Sequence, residues 1–201
     1  MTWIKTIPFH KATGRLQKLY KKVSGPNNNV DNIMLAHSLR PHTMTGHMAL
    51  YKNALHNSNN TLPKWYLETI GVYVSILNNC NYCIDHHFEG LKRMLGDDSK
   101  SNELKEGLKT DTFNMILEKK YVEGLRYAKK LTKSLDTLGF EDVERMKSVN
   151  LSDGEILEIN QVTSYFNYAN RTVLGLGIST EGDIIGLSPN DNSDENNWNH
   201  Q

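Results

Sequence analysis

Residues 77–90 read LNNCNYCIDHHFEG and hold the only two cysteines of the 201-residue chain, Cys80 and Cys83, followed by adjacent histidines, His86 and His87. Two thiols three positions apart, with an imidazole one turn further on, admit three readings: a metal site, a redox-active dithiol, or ordinary core packing. The apolar residues decide the local structure. Ile84, Phe88, Leu91 and Leu95 recur at steps of three and four, so the stretch is expected to be an amphipathic helix that Gly96 ends. On such a helix Cys80, Cys83 and His87 share one side. Residues i and i+3 stand about 5 Å apart at Cα, inside the window a disulfide tolerates. Cys83 and His87 form an i,i+4 pair that brings imidazole to thiol. Asn78 and Asn79 are expected to cap the helix, leaving both cysteines in its first turn. Free N–H groups and the helix dipole favour thiolate there.

Helical periodicity continues on both sides. LPKWYLETIGVYVSILNN, residues 62–79, puts Leu67, Ile70, Val74 and Leu77 on one stripe, with Pro63 near its start. HTMTGHMALYKNAL, residues 42–55, repeats Met44, Met48, Tyr51 and Leu55, and DNIMLAHSLR before it places Ile33, Met34 and His37 near one face. Downstream, Leu117, Tyr121, Leu125, Ala128 and Leu131 mark one helix or two in tandem. Ser152, three residues before Glu155, is a capping box that opens a helix through Ile156, Ile159, Val162 and Phe166. No strand alternation and no hairpin signal stands out, so the fold class is all-α, with helices packed ridge into groove.

The expected organisation is an N-terminal arm over residues 1–29, a helical domain over 30–180 and a polar tail over 181–201. SGPNNN, Ser24 to Asn29, is a turn or loop. In the tail, Trp198 is the exception; docking on the body or on a neighbouring subunit is its alternative to the preferred reading, a loose end.

Composition narrows the function. Twenty-three basic residues balance 23 acidic ones, so no global field attracts nucleic acid or an anionic membrane. No apolar run approaches the length of a membrane span. The opening MTWIKTIPFHKATG lacks the apolar core of a signal peptide, so the expected compartment is the cytoplasm. There a CxxC pair is catalytic or metal-binding more often than structural.

The pattern fits a peroxide-reducing dithiol. A thiolate attacks the O–O bond and becomes a sulfenic acid, and a second thiol three residues away condenses with it. The thiolate needs a base and the leaving alkoxide an acid; His87 serves both if a carboxylate orients it, and Glu68, set in an otherwise apolar stripe, is the candidate. Zinc is the sharper rival, with Cys80, Cys83 and His87 as ligands and a fourth from Glu68, His86 or water, but no second Cys pair exists and the spacing is not that of a finger. His37, His42, His47 and His56 lack a consistent ligand spacing and read as packing or solvent-facing.

Glu68, eleven intervening residues, Cys80-Asn81-Tyr82-Cys83, three more and His87 resemble the signature of the carboxymuconolactone decarboxylase / alkyl hydroperoxidase D superfamily. LGFEDVERMKSVNLSDGEILEI, residues 138–159, and YFNYANRTVLGLGI, residues 165–178, resemble the subgroup called peroxidase-related enzymes, so the likeness runs from about residue 30 to about residue 180. The resemblance implies an all-helical bundle with the CxxC at the start of a central helix. It implies a homo-oligomer, a trimer or hexamer, and an antioxidant peroxidase or disulfide-reductase activity with no metal, haem or flavin cofactor. Carried over, Cys83 is the peroxidatic thiol, Cys80 the resolving one, His87 the proton relay and Glu68 a distant base acting through water. Tyr82 stands where the pattern commonly has His, and His86 is an extra imidazole; both are expected beside the site. The implied partners are a hydroperoxide and a thiol reductant, protein or small molecule. Two other readings are a protein disulfide oxidoreductase with little peroxidase activity and a non-catalytic oligomeric binding protein. Arg171 is read as a structural ion pair.

Overall fold

The computed structural model describes residues 2–189, 193–194 and 196–200. Among these the regular elements are helices, with no named strand. The α-helices are α1 (Gly14–Val23), α2 (Asn32–Ala36), α3 (Pro41–Leu55), α4 (Lys64–Leu77), α5 (Asn81–Leu95), α6 (Asp98–Thr110), α7 (Lys119–Lys133), α8 (Phe140–Ser148) and α9 (Asp153–Leu176). The all-α expectation holds. No helix of the described residues is long and apolar enough to cross a membrane.

The chain divides into two compact units, residues 59–170 and residues 1–58 with 171–201. In the first, α4 packs against α5, α6 and α7. The sequence stripe understated it: every residue from Tyr66 to Ser75 is buried, because a helix apolar on all sides sits inside a bundle. Its N-terminus is anchored by Glu158 of α9, whose carboxylate accepts the backbone N–H of Thr61 at 2.8 Å and of Leu62 at 2.9 Å. Gly71 lets α9 approach: a Cβ there would lie 2.2 Å from the Phe166 ring. The capping box is formed, with Ser152 N–H donating to Glu155 at 2.8 Å and Glu155 N–H to Ser152 Oγ at 3.2 Å. The tandem alternative resolves into a short 3-10 turn, Phe113–Met115, and then α7. Helix α6 gave no stripe to read, since its buried residues are only Ser101, Leu104, Gly107 and Leu108. Asp97 caps it by accepting the Lys100 N–H at 3.0 Å.

In the second unit, α1 buries Leu16, Tyr20 and Val23, and α3 buries Met44, Met48, Tyr51 and Leu55. The Asn32 amide donates to the carbonyls of Ser179 and Glu181. Trp198 corrects the loose-end reading: it is 6 % exposed, and Lys22 Nζ stands 3.8 Å from its ring centroid. Burial of the indole and the cation over its face both hold it.

Candidate active site at the α4–α5 turn

Helix α4 ends at Leu77, and Asn79 turns the chain with a φ of 57°. Asparagine tolerates the left-handed region, and that is what its side chain type serves here rather than a helix cap. Cys80 itself is the N-cap of α5, and Cys83 lies in the first turn. The Cys80 N–H donates back to the Ser75 carbonyl at 2.9 Å, while the Cys80 carbonyl accepts the Ile84 N–H at 3.0 Å. These two bonds fix the first thiol between the helices. Both thiols are free and buried, with Cys80 at 0 % and Cys83 at 3 % exposure. Their sulfurs stand 2.9 Å apart and share a hydrogen bond.

That bond sets the charge distribution. With both thiols protonated Cys80 donates to Cys83; once Cys80 ionises, Cys83 can donate to it, which pulls the Cys80 pKa down against the cost of burial, with the Cys83 backbone N–H and the Asn170 amide adding to it and the charge of Asp85 opposing it. Cys83 is pushed well up, by that same hydrogen bond, by burial and by the Cys80 charge, with Asn170 and Ser75 opposing. The first proton to leave the pair therefore leaves Cys80, whose sulfur sits at the helix N-terminus.

Glu68, 2 % exposed, rises from α4. Its Oε2 stands 2.8 Å from His87 Nδ1 on α5. The contact is direct where the resemblance implied one through water. A carboxylate accepting from Nδ1–H leaves Nε2 as the basic nitrogen of the ring. The imidazole is half-buried and meets the Phe166 ring edge-on at 4.6 Å. Tyr82 and His86 pack on each other, centroids 4.6 Å apart, on the same helix. All four residues of the Glu68/Cys80/Cys83/His87 set thus lie on α4 and α5 of one unit.

The sequence reading missed an amide chain beside the sulfurs. Asn167 donates to Thr132 Oγ1 at 2.9 Å and to the Thr163 carbonyl at 3.0 Å. Asn78 donates to Asn167 Oδ1 at 3.1 Å and to Asn170 Oδ1 at 3.0 Å. Asn170 donates to Ser75 Oγ at 3.1 Å, and Ser75 to the Gly71 carbonyl at 2.8 Å. The asparagines of YFNYANRT are its signal in the sequence, and Arg171 beside them is exposed. His37 lies 5.2 Å from His47 and its Nδ1 meets Thr43 Oγ1 at 2.7 Å, His56 meets the Tyr51 ring at 4.7 Å, and His42 is exposed. Among the described residues no group of three or more His, Cys, Asp or Glu side chains is arranged to hold a metal ion.

No family model matches the chain, and no curated protein matches it. Solved structures do. One, described as an alkylhydroperoxidase AhpD core, an uncharacterized peroxidase-related protein from Ralstonia eutropha JMP134, superposes with a TM-score of 0.76 at 19 % identity, over 89 % of this chain and 92 % of that one. A peroxidase-related protein from Silicibacter sp. TM1040 gives 0.74 at 24 % identity, over 89 % and 91 %. The debrominase Bmp8, in complex with 2,3,4-tribromopyrrole, gives 0.62 at 15 % identity, over 83 % of each chain. At these identities the likeness establishes the fold, which is that of the alkyl hydroperoxidase D-like proteins, as the sequence resemblance implied.

Proposed function

We propose that the chain is a cofactor-independent thiol peroxidase that reduces hydroperoxides through a Cys80/Cys83 dithiol–disulfide cycle. The fold supports an oxidoreductase in general, but it also hosts a debrominase, so the reading rests on the site. The observation that carries it is the pair of sulfurs 2.9 Å apart at the start of α5, with an imidazole held by a buried carboxylate one turn further along the same helix.

Cys83 is the attacking thiol, the role that the resemblance gives it, and it stands one turn from His87 on α5. Its proton crosses the sulfur–sulfur hydrogen bond to Cys80 or passes to His87 Nε2. The thiolate attacks one peroxide oxygen; the S–O bond forms and the O–O bond breaks. Sulfur loses two electrons to the peroxide, and the departing alkoxide takes a proton from His87 and leaves as an alcohol. The Cys80 sulfur then attacks the sulfenic sulfur: an S–S bond forms, the S–O bond breaks, and the oxygen leaves as water with the Cys80 proton. An external dithiol returns the pair to the thiol state by exchange. A reducing compartment such as the cytoplasm supplies such a reductant. Glu68 positions His87 and stabilises its protonated form.

Stopped-flow peroxide consumption tests the assignment. Cys83→Ser is expected to lose the reaction. Cys80→Ser is expected to keep the first turnover and stall with Cys83 as a sulfenic acid. Mass spectrometry after stoichiometric peroxide should find the Cys80–Cys83 bond in the wild type alone. A Cys83→Ser protein that consumes peroxide at the wild-type rate removes the assignment.

A further inference from the structure

Helix α4 is buried from Tyr66 to Ser75, and Gly71 lies in the middle of that run. Glycine is among the least helix-favouring residues, so its place inside a buried helix asks for a reason. The neighbouring helix supplies one. A Cβ on Gly71 would stand 2.2 Å from Cζ, 2.3 Å from Cε2 and 2.8 Å from Cε1 of Phe166 on α9. Those atoms are the far end of the phenyl ring, which comes down onto the bare backbone of α4. Phe166 is 0 % exposed, and the same ring meets the imidazole of His87 on α5, with centroids 4.6 Å apart and planes at 78° to one another. Gly71 follows Glu68 by three residues, on the same side of α4. One side of one helix thus provides both a carboxylate and an opening. The carboxylate stands 2.8 Å from His87 Nδ1, and the ring that fills the opening lies against that imidazole. A hydrogen bond at Nδ1 fixes one corner of an imidazole and leaves its plane free to swing about the bond. A buried aromatic ring packed across it at close to a right angle sets the plane.

We propose that Phe166 is a positioning residue: its ring, admitted by Gly71, holds the plane of the His87 imidazole, so that Nδ1 stays on Glu68 and Nε2 keeps one direction. The inference deepens the peroxidase reading and rests on it for its catalytic meaning. Its physical content, an imidazole oriented from three helices, does not depend on peroxide.

The test is a long-range proton–nitrogen NMR spectrum of the full chain carrying isotope-labelled histidine, recorded where the imidazole is neutral. It reads which ring nitrogen holds the proton, and the spectrum of His87→Gln identifies the signal. Wild type, Phe166→Leu, Phe166→Met and Gly71→Ala are compared, each checked for folding by circular dichroism. The wild-type ring is expected to hold its proton on Nδ1 alone. Phe166→Leu and Phe166→Met fill the space without a flat face and are expected to give a mixture of both tautomers. Gly71→Ala is expected to do the same, because the added Cβ must displace the phenyl. In each variant kcat for peroxide should fall about tenfold with KM little changed, since a misplaced catalytic group slows the step and not the binding. The double variant Gly71→Ala/Phe166→Leu separates positioning from packing. Taking the ring away relieves the crowding, so the melting temperature should recover relative to Gly71→Ala while the tautomers stay mixed. A wild type that is already mixed, or folded Phe166 variants that keep its tautomer, overturn the proposal and leave Phe166 as core packing. Where Phe166→Leu does not fold, Phe166→Met decides by the same readout, because methionine adapts to irregular space. Peroxide consumption tells this failure from the other: a chain inert to peroxide whose tautomers shift as described loses the peroxidase reading and keeps the positioning ring.

Discussion

Two buried carboxylates of the same unit, Glu68 on α4 and Asp142 on α8, have been given opposite company. Glu68 faces a titratable partner, His87, at 2.8 Å. Asp142, 5 % exposed, faces permanent cations: Lys130 Nζ at 2.7 Å and the guanidinium of Arg145, with the N–H of the helix cap Gly139 at 2.8 Å besides. A buried anion needs partners in either case. Where the partner is an imidazole, the carboxylate holds in place a ring whose nitrogens can each donate or accept a proton. Where the partners are a lysine and an arginine, the anion is a fixture that ties α7 to α8. The partner, more than the carboxylate, sets the role.

The largest effect that would break this contrast is expected at Glu68. Glu68→Gln keeps a hydrogen-bond acceptor for Nδ1–H and removes the charge. General acid–base catalysis contributes about 10²–10⁴-fold. Peroxide consumption should therefore fall by about 100-fold on the proposed cycle, while the melting temperature moves by only a few degrees. A Gln variant that turns over like the wild type takes Glu68 out of the proton path and leaves it a packing residue.

Asp142→Asn should do the reverse. Removing one partner from a fully buried ion pair costs about 3–5 kcal/mol. Lys130 is 31 % and Arg145 57 % exposed, so water recovers part of that cost. About 2 kcal/mol is the expected loss, read from urea unfolding, with peroxide consumption per folded molecule unchanged. A loss of activity without a loss of stability would reverse the two roles.

The difference between the two carboxylates also marks what the chain discloses in one dimension. Glu68 stood out because a charge in an apolar stripe, at a fixed distance from Cys80, carries its own question. Asp142 did not, since an acidic residue in the first turn of a polar helix is ordinary. Helices α3, α4, α5 and α9 were legible from apolar periodicity; α6 was not, because two leucines in thirteen residues make no stripe. Asn78 and Asn79 were misplaced as caps because asparagine is favoured at N-caps and in left-handed turns alike, and only the backbone tells which. Ser75 and Asn170 were invisible for another reason. One is five residues before Cys80 and the other ninety after it, and neutral amides and hydroxyls acquire a role only from what the fold sets against them.

The smallest effect sharpens the contrast from the acid side. Burial pushes the Asp142 carboxyl up, yet Lys130 and the Gly139 N–H, with the charge of Arg145, outweigh it and hold the group below the usual carboxylate range. A carboxyl depressed in the folded state stabilises the fold above its unfolded pKa of about 3.9, and that contribution is lost as pH falls through the lower, folded value. The stability gap between wild type and Asp142→Asn should accordingly be flat from pH 7 down to about 5 and close only below about 4. A gap that persists undiminished at the acid limit of folding would mean that Asp142 acts through shape and neutral hydrogen bonds. The two carboxylates would then differ in packing rather than in the charge of their partners.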